Sequence, residues 1–86
     1  MKYYILNIVD SHYDYEFSTH ILTASDDDHI EEKANEIAKN WYGDDSLESE
    51  EGVFENERGD VLTYISEYKE ITEATFNELK HFIGEL

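Results

Sequence analysis

The side chains here that can do chemistry are overwhelmingly carboxylates: 22 Asp and Glu stand in 86 residues, beside four histidines and no cysteine. Acid–base catalysis by paired carboxylates needs two of them in a cleft that drives their proton affinities apart. With this many acids, pairs arise by chance, and so short a chain has little room for a sizeable cleft. His12, His20, His29 and His81 show no H-x₃-H spacing, and no thiolate is present to complete a transition-metal site. Asp26-Asp27-Asp28 has the composition of a calcium site but not its pattern. A calcium loop alternates its oxygen ligands, turns at a glycine and closes on a late Glu, whereas this run leads into a helix. Neither a G-x-S-x-G elbow nor a phosphate-binding loop occurs. These residues therefore suggest no enzyme, no metal and no cofactor. What remains is charge.

The formal net charge is −16, from 22 acidic and six basic side chains. Such a surface repels DNA, RNA and anionic membranes at long range, and Lys2, Lys33, Lys39, Arg58, Lys69 and Lys80 are scattered. The surfaces that attract it are basic ones, and those are the surfaces that bind nucleic acid. Area scaling gives a folded surface of roughly 5,300 Å², or about one net charge per 330 Å². A duplex carries one charge per roughly 1.7 Å of axis, about one per 110 Å² on a cylinder about 20 Å wide. Charge spread evenly is thus about threefold too dilute to imitate DNA, so imitation requires the acids to gather on one face.

The elements that must position these acids follow from periodicity. Residues 1–86 are read as a single small domain, able to bury roughly 60–65% of its unfolded surface. Apolar residues at 40% and aromatics at 14%, in periodic patterns, argue against disorder. No apolar run reaches the roughly 18 residues of a membrane span, the N-terminus lacks the form of a signal peptide, and the absence of cysteine suits a reducing cytoplasm. Lys2–Val9 and Tyr15–Ala24 read as an antiparallel pair of strands, with Tyr4, Leu6 and Ile8 inward and a bulge expected in the second. Ile30, Ala34, Ile37, Ala38 and Trp41 set an apolar stripe on a helix over residues 27–42, capped by Ser25 or an Asp and ended by Gly43. Gly52–Asn56 and Val61–Tyr68 form a second hairpin that turns at Gly59 with positive φ. Thr72 caps a last helix, with Ile71 and Phe76 at the spacing of a hydrophobic staple and Phe76, Leu79, Phe82 and Ile83 as its stripe. The fold class is α+β: order ββαββα, a four-stranded antiparallel sheet with two helices on one face.

The acids divide by whether local stability explains them. Asp26, Asp27, Asp28, Glu31 and Glu32 stand at a helix start, where the dipole favours negative charge by roughly 0.3–1 kcal/mol each. Asp44, Asp45, Glu48, Glu50 and Glu51 follow the helix's negative end, where no such account applies. Tyr13, Tyr15 and Tyr42 flank turns or a helix end, and tyrosine combines an apolar face with a polar tip suited to interfaces.

In size, lack of cysteine, ββαββα-like pattern and the clusters 26–28 and 44–51, the chain resembles small, very acidic proteins of phages and mobile elements, in particular anti-CRISPR proteins that mimic nucleic acid. The resemblance contains no motif, so no residue role is carried over. It implies a stoichiometric inhibitor in the basic groove of a nucleic-acid-handling complex, such as a CRISPR effector or nuclease, in the cytoplasm of the host cell. Asp26, Asp27, Asp28, Asp44, Asp45, Glu48, Glu50, Glu51 and Tyr42 are the expected partner-binding residues. The alternatives are an immunity or antitoxin protein that neutralises a basic toxin nuclease, and an adaptor domain whose charge serves solubility alone. Even dispersal of the acids would favour the adaptor.

Overall fold

The computed structural model describes residues 1–26, 29–41, 46–56 and 59–86. Its frame is one antiparallel sheet of five strands: β1 (Lys2–Ser11), β2 (Glu16–Ser25), β3 (Leu47–Glu50), β4 (Val53–Glu55) and β5 (Leu62–Ile71), in the order β2-β1-β5-β4-β3. β1 is an interior strand, and both its faces are apolar so that it can be covered on both. Leu6 and Ile8 are fully buried, with Tyr4 and Val9 nearly so. The inward set Tyr4, Leu6 and Ile8 is as the alternation suggests. It meets α1 (Ile30–Asn40) through Ile30 and Ala34, with Ile21 of β2 in the same cluster. Ile37, Trp41 and Ile65 pack at its margin.

The sheet has one more strand than the pattern suggests. Glu is depleted in strands and no residue of Leu47–Glu50 is β-branched or aromatic, so the segment carries no strand signal of its own. It is made a strand by a tight reversal at Glu51-Gly52, where Gly52 has φ +79°, a value that glycine adopts without a Cβ clash. Gly59 (φ +74°) turns the next hairpin as expected, its N–H donating to the Asn56 carbonyl at 3.0 Å. The bulge expected in β2 is absent, since β2 pairs with β1 in unbroken register. Bulges occur instead between β1 and β5 at Asn7/Ile8, and in β3 between Glu48 and Glu50.

The helices do not share a face. Tyr4 points toward α1, so its neighbour Tyr3 points away, and Tyr3 is the ring that meets Phe76 of α2 (Glu73–Leu79) at 4.7 Å. The register explains the side. Ile71 pairs with Tyr3 and so lies on the Tyr3 face, where β5 hands the chain through Thr72 directly into α2. Thr72 caps as expected, its hydroxyl accepting from the Thr75 N–H at 3.1 Å. The stripe does not continue as expected: α2 stops at Leu79 and Phe82 is 88% exposed. The chain turns instead to the outer edge of β2, where the Leu22 N–H donates to the Gly84 carbonyl and the Leu86 N–H to the Leu22 carbonyl, each at 2.8 Å. The start of α1 also differs. Its cap position is His29, with no side-chain cap bond, and Ser25 is buried at the end of β2.

One buried carboxylate ties three elements together. Asp10 of β1 accepts from the Trp41 indole N–H at 3.1 Å and from the Thr63 hydroxyl of β5 at 3.3 Å. Removing it leaves two donors without their acceptor, and an unsatisfied buried donor costs about 1–3 kcal/mol. Asp10→Ala is expected to lower stability by about 2–3 kcal/mol, and Thr63→Val by about 1 kcal/mol, since that change removes the hydroxyl together with its need. Urea unfolding followed by Trp41 fluorescence measures both.

Candidate functional site

α1 lies as a ridge across one sheet face, and its exposed side is acidic. Glu31, Glu32 and Glu36 are all exposed. On one flank, Asp26, Glu32 and Glu36 line a shallow cleft with His29 and Lys33. On the other flank, Glu31 and Glu51 line a second cleft with Asn35, Gly52 and Tyr68. Lys33 is committed within the protein, its ammonium donating to the Ala24 carbonyl. Among the described residues Lys2 is the one lysine in an ion pair, with Glu70 at 3.8 Å, so no lysine there pairs directly with a ridge carboxylate.

The local density of charge is the quantity that matters. The whole surface is 5,905 Å² for a net charge of −16, about one charge per 370 Å². Along α1 and its two flanks stand Asp26, Glu31, Glu32, Glu36 and Glu51 against Lys33 and Lys39, so that carboxylates outnumber cations about this one element.

The residues singled out from sequence are not all brought together. Asp26 and Glu51 lie on the two flanks of α1. Glu48 shares their face, because it pairs with Phe54, which pairs with Thr63. Its carboxylate folds back to accept from the Gly52 N–H at 3.2 Å. Glu50 lies on the opposite face. Two residues apart on a regular strand would share a side, but the bulge at Ser49 sets Glu50 opposite Val53. Asp27, Asp28, Tyr42, Asp44 and Asp45 lie outside the described residues. Glu31, Glu32 and Glu36 were not among the expected site residues. Their signal was available as i, i+1 and i+5 positions off the apolar stripe, but the helix dipole already accounted for the first two. Among the described residues no three His, Asp or Glu side chains converge to hold a metal, and no helix is long and apolar enough to cross a membrane.

A second exposed feature crowns the β1–β2 hairpin. The His12 N–H closes the turn on the Tyr15 carbonyl at 2.8 Å. The His12 and Tyr15 rings stack at 4.7 Å and 17°, and Phe17 stands edge-on to both, at 5.7 Å and 5.0 Å. Tyr13, beside them, is 98% exposed. Comparison with family models, with curated proteins and with solved structures yields no match.

One of the polar contacts that dock α1 to the sheet has a measurable signature. The Tyr68 hydroxyl of β5 donates to Glu31 at 3.3 Å, and its ring meets Tyr4 edge-on at 6.0 Å. Desolvation of the hydroxyl, and then the Glu31 carboxylate as charge and as acceptor, raise its pKa above the ordinary 10.0. A raised value means the fold holds the proton that the unfolded chain releases first, so stability is expected to fall as pH rises past 10. Glu31→Gln should move the Tyr68 titration back toward the ordinary value, read by tyrosinate absorbance against Tyr68→Phe.

Proposed function

We propose that this protein is a non-enzymatic acidic inhibitor that occupies the basic groove of a nucleic-acid-binding protein complex by presenting duplex-like charge. A CRISPR effector is the target that the resemblance to anti-CRISPR proteins favours. The observation that carries the reading is the gathering of Asp26, Glu31, Glu32, Glu36 and Glu51 along α1 and its two flanks, against Lys33 and Lys39. A basic groove built to hold phosphates meets carboxylates in their place. The carboxylates release no nucleotide and offer no scissile bond, so the complex is blocked rather than turned over.

Electrostatic complementarity of this kind acts on the association rate and on salt dependence as much as on affinity. The ridge residues in the proposed interface are Asp26, Glu31, Glu32, Glu36 and Glu51, with Glu48 beside them. Asp27, Asp28, Asp44, Asp45 and Tyr42 extend the proposal in sequence at the two ends of α1.

The test is competition. The protein should displace duplex DNA from an RNA-guided effector complex, with displacement weakening as salt rises. In the quadruple variant Asp26→Asn, Glu31→Gln, Glu32→Gln, Glu36→Gln, a loss of about 0.5 kcal/mol per side chain gives about a 30-fold weaker effect and a shallower salt dependence. Displacement and salt dependence both unchanged in that variant would sink the reading. Inhibition of a single small toxin nuclease, with none of the effector, would favour the antitoxin alternative.

A further inference from the structure

We propose that the tip of the β1–β2 hairpin is a receptor for an arginine side chain of a basic partner protein. The inference takes its basic partner from the function proposed above, but its residues lie apart from the α1 ridge. Tyr13, Tyr15 and Phe17 are 98%, 54% and 56% exposed. An apolar surface concentrated in this way on a small soluble protein marks a contact site. The rings are not loose. His12 and Tyr15 are stacked, Phe17 braces both edge-on, and the turn is closed by the His12–Tyr15 backbone bond. A braced group of rings loses little conformational entropy when a partner covers it, which is why aromatic anchors are effective at interfaces.

The chemistry around the rings selects the partner group. Asp14 is exposed in the turn beside the rings, while Glu16 alternates to the opposite face of the hairpin, where the Ser11 hydroxyl donates to it at 3.5 Å. From Tyr3 to Glu32 the chain contains neither Lys nor Arg. Among the described residues the cation lying over a ring is Lys80, on Phe76 of α2 at 6.0 Å, away from the hairpin. The tip thus joins π-faces and the Asp14 carboxylate with no cation in its own stretch of chain. A guanidinium suits both at once: it is flat and weakly hydrated, so it stacks on a ring, and its fork of N–H donors reaches a carboxylate. A lysine ammonium is compact and strongly hydrated, and it gains less from the ring. The tip accordingly prefers arginine to lysine at equal charge, whereas the α1 ridge reads charge alone.

The experiment titrates the full-length protein with oligoarginine and with oligolysine of equal length, followed by NMR of the aromatic side chains. Oligoarginine is expected to shift the Tyr13, Tyr15 and Phe17 ring resonances and to bind about fivefold more tightly than oligolysine. Tyr15→Leu with Phe17→Leu should bring that ratio close to one. Tyr13→Ala, at a position the fold does not use, should lower it in part while leaving the thermal unfolding midpoint in place. Equal binding of the two peptides by the native protein overturns the proposal. So does a preference that survives the double variant, or binding that leaves the ring resonances unmoved. The quadruple ridge variant separates the two readings, because it should weaken both peptides alike and leave their ratio intact. If it weakens neither while the ratio persists, the ridge reading fails and the arginine receptor stands.

Discussion

The position of α1 depends on the hydrogen bonds that Asp10 accepts under the end of the helix. A chain carrying sixteen excess negative charges has every electrostatic reason to keep carboxylates in water, yet it buries this one. The compensation is specific: an indole N–H from the residue that ends α1 and a hydroxyl from β5. Burial without such partners would cost several kcal/mol. With them, the carboxylate sets where the helix stops along the sheet. The Tyr68–Glu31 contact does the same nearer the other end. Between these two polar anchors, Ile30, Ala34 and Ala38 supply a non-directional apolar seal.

That division of labour leaves the outer side of α1 free to carry charge. Among the described residues the core makes no use of the Glu32 or Glu36 side chains, and the Glu31 side chain is held by its one bond from Tyr68. The acids of the ridge therefore repel one another with little return in stability beyond the first helical turn, where the dipole offsets part of the cost. A cost of that kind, concentrated where a solid part of the fold presents it to solvent, is what the proposed interface explains. It also accounts for the separation of tasks between the ridge, which offers charge, and the hairpin tip, which offers braced rings.

Much of this was legible in the residues. Thr72 at the last helix, Gly59 in its turn, the inward set Tyr4, Leu6 and Ile8, and the stripe that includes Ala34 and Ala38 are local patterns with local causes, and the structure bears them out. What could not be read was set by pairing. Leu47–Glu50 becomes a strand through the turn at Gly52 and its partner β4, against its own propensity. The face taken by α2 follows from the Ile71–Tyr3 register, which no periodicity reveals. The site shows the same limit. Glu50 leaves the face of Glu48 because of one extra residue in β3. Glu31, Glu32 and Glu36 join the ridge only once the helix has a position between Asp26 and Glu51.

That bulge has a consequence for how the molecule tolerates its own copies. β3 is the outermost strand, and all four of its residues are exposed. Unpaired strands at an edge invite a neighbouring chain to add on. Because the bulge sends Glu48 to one face and Glu50 to the other, a second β3 laid alongside would meet like charge both above and below the plane of the sheet. Like charge on both faces opposes pairing of this edge with its own copy, whereas a strand of opposite sign meets no such repulsion. A flat edge with its acids on one side would leave the other side unguarded. The guarded edge thus sorts incoming strands by charge.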